Sequence, residues 1–525
     1  MVDVLREIER KYEAGDGRDP GAPPGLPDLA GLPGVASVTE AEPFDLDATY
    51  YDTEDLRLAT TGATLRRRTG GGDAGWHLKL PADPHDPGVR DEFREPPADE
   101  TPPALTSLLR SRLRAAHLVP LMRLRQRRTV RRLLAADGAL LAEVGLDEVR
   151  AERYGPGGRA AAWTEIEAEL GQGQDPALLD AIEARLTAEG SGVRRSTAPS
   201  KLRRALTETA PGGPGAAGPA PGSGSGAGPE PRTPATAGDV ALRYVRAQVR
   251  VLVETDPAVR RDLPDSVHRM RVATRRLRGA FRTHGQVLDR TVTDPLGAEL
   301  AWLAGELGID RDQEVLTQRL TARLDELPRA LRLGPVRGRL VTFSHARRRG
   351  SRRRLLAVLD GARHLALLEA LDALLAHPPL RAAAARPPEA VVARAVRRDH
   401  ERLARHVGEA LAARPGPERD LALHEARKCA KRVRYAAESA RPVFGGAAKR
   451  FAARIAELQE VLGEHQDSVL TRAALRDLAR QAHAAGEPSF TYGVLHEREA
   501  GRAAEAEATL PLLWSALLRE PASFP

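Results

Sequence analysis

The chain runs to 525 residues, 42% hydrophobic and 29% charged, with a formal net charge of +8. It is too long for one ordinary core, so two or more domains are expected, and no apolar run is long enough to span a bilayer. A single cysteine, Cys429, excludes intrachain disulfides and cysteine-only metal sites, and without a basic-then-apolar leader the expected address is the cytoplasm.

The charge is unevenly spread. Residues 1–208 carry 29 basic and 35 acidic side chains, a net of −6, while the remainder carries 51 and 37, a net of +14. The back half therefore suits a polyanion, and the front half holds enough carboxylate for metal. Only six of the 80 basic residues are lysine: Lys11, Lys79, Lys201, Lys428, Lys431 and Lys449. Codon bias accounts for the arginine excess, which makes the surviving lysines candidates for positions that need a compact ammonium.

Read as a strand, Glu7-Ile8-Glu9-Arg10-Lys11 puts Glu7, Glu9 and Lys11 on one face and Ile8 and Tyr12 on the other. Two carboxylates beside an ammonium suit a hard divalent cation, Mg²⁺ or Mn²⁺, together with a phosphate. For this stretch alone, a surface helix with a Glu7–Lys11 pair is the alternative. After a Gly/Pro-rich loop come a strand over Phe44–Asp52, a short helix over Glu54–Thr61, and a strand in which Thr64, Arg66 and Arg68 alternate. Trp76–Leu80 is the next strand, with Lys79 central, and Val89–Arg94 places Arg90, Glu92 and Arg94 on one face. A helix over Pro103–Ala116 leads to a long strand, Leu121–Leu134, with Arg123, Arg125 and Arg127 on one face. Leu140–Asp147 supplies Glu143 and Asp147, and Thr164–Leu170 aligns Glu165, Glu167 and Glu169. A helix over Pro176–Glu189 precedes Ser200-Lys201-Leu202. Any one of these strands alone would be a half-buried strand with its polar face in water. About eight in succession, with clustered arginine and glutamate, predict polar faces turned inward, in a closed antiparallel barrel whose apolar side is covered by helices.

Glu7-Ile8-Glu9-Arg10-Lys11, Leu65-Arg66-Arg67-Arg68, Trp76-His77-Leu78-Lys79-Leu80, Arg90-Asp91-Glu92-Phe93 and Thr164-Glu165-Ile166-Glu167-Ala168-Glu169 occur in the order seen in CYTH domains, the triphosphate tunnel metalloenzymes. Ser200-Lys201 is similar to that family's closing lysine motif, and the resemblance covers nearly all of residues 1–208. It implies an eight-stranded antiparallel β tunnel with flanking helices. In it Glu7, Glu9, Glu165, Glu167 and Asp147 would hold metal, and Lys11, Arg66, Arg68, Lys79, Arg125, Arg127 and Lys201 a triphosphate. Glu7, Glu9, Lys11 and Lys79 form the implied catalytic set. Where relatives often have two adjacent aspartates, this chain has Leu146-Asp147, so a second metal site is expected to lack one carboxylate.

Residues 209–238 are Pro, Gly, Ala and Ser with little charge, a composition that cannot offset ordering entropy and reads as a flexible linker. From Asp239 to about Leu518, apolar residues three and four apart in Ala/Leu/Arg segments predict long helices. This half contains an internal repeat. His268, Arg271, Arg275 and Arg278 recur in register as His424, Arg427, Lys431 and Arg434, and Leu307-Gly308 with Asp312 recurs as Leu462-Gly463 with Asp467. A two-fold repeat of helical units predicts two packed bundles. Each basic set falls on one helical stripe, where like charges repel. A duplicated stripe therefore suits phosphate binding better than a merely solvated face, and the His-x-x-Arg spacing brings no second zinc ligand. The two copies resemble the CHAD domain over roughly 240–520, a helical module similar to binders of inorganic polyphosphate. Arg311-Asp312, Lys428, Lys431, Arg434 and Tyr435 fit its pattern.

The expected fold class is thus α+β: a β tunnel over 1–208, a linker over 209–238, and an all-α double bundle over 239–520. The expected function is metal-dependent hydrolysis of inorganic triphosphate or another short phosphate chain, with polyphosphate bound by the helices. The alternatives are a non-catalytic polyphosphate-binding or granule-associated protein, and a hydrolase or cyclase of an organic triphosphate, for which no base pocket is recognisable. Aromatic content of 4%, with none in the basic stripes, argues against nucleic-acid binding by base stacking.

Overall fold

The structure, a computed structural model, describes residues 3–14, 26–82, 88–155, 158–188, 191–210 and 233–519, without the side chains of 309–314 and 344–350. The chain divides into two compact units, 1–227 and 228–525. Most of the expected linker (211–232) lies outside the described residues, and Ala237 and Gly238 already belong to a helix.

The first unit contains β1 (Asp3–Ala14), β2 (Ser37–Val38), β3 (Glu42–Asp52), β4 (Thr64–Thr69), β5 (Gly75–Pro81), β6 (Val89–Glu95), β7 (Val119–Leu134), β8 (Leu140–Arg153), β9 (Ala160–Leu170) and β10 (Val193–Arg195). Because β1 pairs with both β6 and β9, eight strands close in the order β1-β6-β5-β4-β3-β7-β8-β9, all antiparallel, while β2 joins β7 and β10 joins β1. Five short helices accompany them: α1 (Arg57–Thr60), α2 (Pro103–Leu108), α3 (Arg110–Leu113), α4 (Ala177–Leu186) and α5 (Lys201–Glu208). The helix expected over 103–116 is therefore two, and the strand from Leu140 runs on past Asp147 to Arg153.

Side-chain parity decides what each face does. The odd residues of β1, β5, β8 and β9 and the even residues of β3, β4, β6 and β7 point inward, and most of them are charged or polar. Opposite parity builds two outer apolar layers. Leu65, Trp76, Leu78 and Phe93 pack under Leu105, Leu109 and Leu113 of α2 and α3. Tyr12, Val144, Leu146 and Ile166 pack under Leu179, Ile182 and Leu186 of α4. The third layer lies inside the barrel, at one end. There Ala48, Tyr50, Met122, Leu124, Val149, Ala151 and Trp163 meet Leu202, Ala205 and Leu206 of α5.

The second unit is helical: α6 (Ala237–Arg260), α7 (Ser266–Thr283), α8 (Arg290–Asp325), α9 (Val336–Asp360), α10 (Ala362–Ala376), α11 (Pro388–Ala412), α12 (Pro417–Ser439), α13 (Arg441–Ala484) and α14 (Phe490–Arg519). A reciprocal capping box starts α6: Asp239 N–H donates to Thr236 Oγ1 at 3.2 Å, and Thr236 N–H to Asp239 Oδ2 at 2.9 Å. One core joins α6 to α10 and a second joins α11 to α14, which is the two-bundle arrangement the repeat predicts. A third cluster binds the far ends of α8, α9, α13 and α14.

The register also answers the Leu146 question. Leu146 is 8% exposed and faces the layer under α4, whereas Gly145 and Asp147 face inward. An aspartate at 146 would add no inward ligand. Leu146→Asp is expected to destabilise the barrel by about 3 kcal/mol or more through an unpaired buried carboxylate, without strengthening Mg²⁺ binding. Denaturant unfolding and Mg²⁺ titration of the variant check both halves of that statement.

Candidate functional site

The inward faces of the barrel enclose a chamber of about 300 Å³, lined by nine Lys/Arg and seven Asp/Glu side chains. Such a density of buried charge persists only if the charges pair. Lys79 Nζ donates to Glu7 at 2.8 Å, and Lys11 Nζ lies 2.9 Å from Glu9 and 2.5 Å from Glu167. Arg128 grips Asp147 with two donors at 2.7 and 2.8 Å and also reaches Glu167. Lys201, at the start of α5, lies 2.9 Å from both Asp147 and Glu165 and contacts Glu167. Ser200 caps that helix by accepting Arg203 N–H at 3.1 Å, which aims Lys201 into the chamber.

Burial would raise Glu9's carboxyl, but Lys11 and Lys79 outweigh it and hold the group at about 2. Glu167 and Asp147 are likewise held down, against burial, by their cations. Glu7 and Glu169 go the other way. Burial raises both, and neighbouring carboxylates add to it, with Glu169 pushed up to about 7. Glu7 and Glu169 are therefore the carboxylates that the chamber's cations compensate least. Asp147, Glu165 and Glu167 bring one oxygen each within 4.8 Å of one another. Both groups are all-oxygen donor sets, which fit a hard divalent cation.

The structure brings together most of the residues expected from sequence, with exceptions. Glu7, Glu9, Lys11, Arg66, Arg68, Lys79, Glu167 and Lys201 line the chamber. Asp147 and Glu165 lie just behind its wall, where Glu165 also accepts Trp163 Nε1–H at 2.6 Å. Arg125 and Arg127 are corrected: both are exposed on the outer face, and Arg125 reaches Glu152. The inward positions of β7 are Gln126 and Arg128, because pairing with β8 sets Arg128 opposite Asp147. Arginines at both parities of β7 hide this choice from the sequence. Among the wall residues not singled out as site residues are Glu169, Glu92 and Tyr50. Glu92 is fully buried, with His77 Nδ1 at 3.0 Å and Arg94 Nε donating at 2.5 Å. Tyr50 accepts from Arg66 at 3.3 Å.

The helical unit holds a larger cavity, about 900 Å³, between α7, α8, α11, α12 and α13. His268, Arg271, Arg275 and Arg278 enter it from α7, and His424, Arg427, Lys428 and Lys431 from α12, so both stripes face one space. Among the described residues the lining has ten Lys/Arg and three His side chains with Glu425 and Asp467, and Arg319 there is also paired with Glu464 and Glu499. The repeated Leu-Gly pairs make room for this arrangement. A Cβ on Gly308 would stand 2.8 Å from Arg271 Nη2, and one on Gly463 3.4 Å from Arg427 Nη2. The side chains of Arg311 and Asp312 lie outside the described residues. Arg434 is corrected: it turns away to Glu438 at 3.0 Å and Gln459 at 3.3 Å. Arg282, one turn beyond Arg278, could have been found by extending the stripe. Arg402 and His406 on α11 belong to no repeated pattern and carried no signal.

Residues 6–198 match the CYTH domain and residues 243–476 the CHAD domain. The barrel with its chamber is thus a CYTH domain, a metal-dependent class that acts on triphosphates. The whole chain belongs to the proteins that join a CYTH domain to a CHAD domain. It is 35% identical to Rv2226 of Mycobacterium tuberculosis strain H37Rv over 510 residues, 94% of this chain and 93% of that protein. Among solved structures it is similar to PptA from Streptomyces chartreusis (23% identity, TM-score 0.46, 53% of this chain and 99% of that one). The CHAD domain from the plant Ricinus communis is similar at 21% identity and TM-score 0.44, over 55% of this chain and 93% of that one. Among the described residues, no helix is long and apolar enough to cross a membrane.

Lys431 offers a pH test of the helical cavity. Burial, then Arg427, Arg275 and Arg271, push its ammonium down to about 7, with Asp467 opposing. The folded chain therefore binds this proton less readily than the unfolded one, and unliganded stability rises with pH from about 7 toward the ordinary lysine range. A bound polyanion returns the missing counter-charge, so binding takes up a proton. If that polyanion is long-chain polyphosphate, affinity of the full chain for it is expected to fall up to roughly tenfold between about pH 6.5 and 8.5, and Lys431→Arg to flatten that profile. Calorimetry in two buffers of different ionisation enthalpy checks the proton uptake.

Proposed function

We propose that the barrel hydrolyses inorganic triphosphate or another short phosphate chain with a divalent cation, and that the helical cavity binds polyphosphate. The observation that carries the first half is the chamber itself: nine cations and seven carboxylates in about 300 Å³. Substrate binding there is an exchange of partners. Phosphate oxygens take over Lys11, Arg66, Lys79, Arg128 and Lys201, and the carboxylates so released are free to hold a cation. Glu7, Glu9, Glu167 and Glu169 would carry it, with Asp147 and Glu165 beside them. When bound, Mg²⁺ or Mn²⁺ supplies charge neutralisation and a polarised water. The cations fix the chain and stabilise charge that grows on the equatorial oxygens during in-line transfer. The second half is supported by the basic lining of the helical cavity and by the two stripes facing one space.

A second reading has its own observation. Phe44, Leu46 and Val130 line the chamber beside its charged residues and would tolerate an organic substituent, so a hydrolase or cyclase of an organic triphosphate is the alternative.

Release of phosphate from triphosphate is expected to require Mg²⁺ or Mn²⁺ and to stop in excess EDTA. Glu9→Gln should lower turnover at least a hundredfold, about 2.7 kcal/mol of barrier, with the circular dichroism spectrum unchanged. Turnover within twofold of the parent for Glu9→Gln, or full activity in EDTA, would overturn the proposal. Lys201→Arg tests the need for a compact ammonium, because a planar fork cannot sit among three carboxylates in the same way. A loss of roughly tenfold is expected, read by steady-state kinetics.

A further inference from the structure

We propose that Lys431 is a covalent capture site: its side-chain amine, in the helical cavity, forms a reversible imine with small organic phosphates that carry an aldehyde. This ligand class differs from polyphosphate, and the inference does not rest on that reading.

The chain's lysines are few, and their surroundings sort them. Lys11 meets Glu9 at 2.9 Å, Lys79 meets Glu7 at 2.6 Å and Lys201 meets Asp147 at 2.9 Å. Lys428 pairs with Glu425 at 2.7 Å, and Lys449 is exposed. Lys431 differs from all of these. It is half-buried on α12, lines the cavity, and has, among the described residues, no carboxylate at ion-pair distance. It also stands where the first copy of the repeat has Arg275, so an amine replaces a guanidinium at an equivalent position. A guanidinium would hold phosphate at least as well, but near neutral pH it never loses its proton to become a nucleophile.

Cations surround this amine. Arg427 is one turn back on α12 with His424 beyond it, and α7 brings Arg271 and Arg275, with His268 and Arg278 on the same stripe. Helix α13 supplies the opposing Asp467, and α11 supplies Arg402 and His406. Arg319, from α8, is held by Glu464 and Glu499. Desolvation and like charge both favour the neutral amine and bring it down to about 7. The barrel lysines go the other way, because their carboxylates hold Lys11, Lys79 and Lys201 above the ordinary ammonium range. At about pH 7.5 roughly three-quarters of a group at 7 is neutral, against roughly one part in a thousand of an ordinary lysine. Lower basicity makes each neutral amine a weaker nucleophile, as it does for thiolates, which reduces that advantage without cancelling it.

The same surroundings select the ligand. Arg271, Arg275 and Arg427 suit a phosphate monoester, whose charge they would share. Leu316, Tyr435 and Leu470 also line the cavity, and Leu470 is 53% exposed, so part of the wall is apolar and suits a carbon body. About 900 Å³ is ample for such a molecule. In the step itself the neutral Nζ bonds to the aldehyde carbon, and the C=O π electrons go to oxygen. Both amine protons end on that oxygen, which leaves as water while the C=N bond forms. No oxidant or reductant takes part, and water reverses the reaction.

Trapping the imine with borohydride tests this on the full-length protein. A limiting amount of pyridoxal 5′-phosphate would be added at about pH 7.5, the imine reduced, and the label at each lysine measured by peptide mass spectrometry. Lys431 is expected to carry roughly tenfold more label than Lys428, Lys449 or any barrel lysine. Pyridoxal without its phosphate, normalised to Lys449, should label Lys431 roughly fivefold less, because the arginines no longer hold it. Label at Lys431 should rise with a midpoint near pH 7, while that at Lys449 still climbs above about pH 9. Label spread evenly over the lysines would overturn the proposal. So would equal labelling of Lys431 by the phosphate-free compound, or a midpoint there in the ordinary lysine range.

Discussion

A closed sheet that turns its charged face inward has to balance charge inside a small, poorly hydrated space, and most of the barrel follows from that. Arg128 is bidentate to Asp147, Lys79 meets Glu7, and Lys11 and Lys201 bridge Glu9, Glu165 and Glu167. Removing one partner of such a pair leaves the other buried and uncompensated, which costs more than the pair itself contributes. The same inversion leaves the outer face apolar, so α2, α3 and α4 are obligatory covers rather than ornaments. Each helix exists where it does because a strand face beneath it would otherwise meet water.

The helical unit answers the charge problem in the opposite way. Among the described residues its cavity gathers ten Lys/Arg side chains and spreads them over about 900 Å³. Close packing still has to admit the guanidinium groups, and Gly308 and Gly463 provide the space at repeat-related positions. The repeats are not exact copies in use. Gly279 accepts the Tyr435 ring, Arg276 lies 5.6 Å over that ring, and Arg434 is drawn off to Glu438, so the pseudo-symmetry breaks where α7 crosses α12.

Strand periodicity made the barrel legible, because period-two alternation survives in the eight strands that close it. Glu7, Glu9 and Lys11 could be assigned a shared face once the strands that follow had set the period. Arg125 and Arg127 could not, since Arg127-Arg128 offers a cation to either face and only pairing with β8 selects Arg128. Leu146 misled for the same reason: its neighbours in sequence say nothing about which parity faces inward until the register with β9 is known. In the helical unit the stripe was legible because 3.6-residue periodicity is local. What Arg402 and His406 contribute was not, because α11 reaches the cavity by packing, and packing between distant helices leaves no spacing to read.

The two sites also demand different things of a ligand. In the helical cavity an anion would meet a lining dominated, among the described residues, by cations, and its binding would carry the salt sensitivity of released counterions. In the barrel Lys11, Lys79, Arg128 and Lys201 each already have a carboxylate. An anion arriving alone would strip Glu7, Glu9 and Glu167 of their partners, and a metal ion arriving alone would strip Lys11, Lys79 and Lys201. Each exchange by itself leaves buried charge uncompensated. Only a ligand pair of opposite sign repairs both sets at once, the phosphates taking the ammonium and guanidinium groups and the cation taking the carboxylates. Selectivity for a metal–phosphate pair over either component would then be a property of the wall's ion pairs taken together, not of any single residue in it.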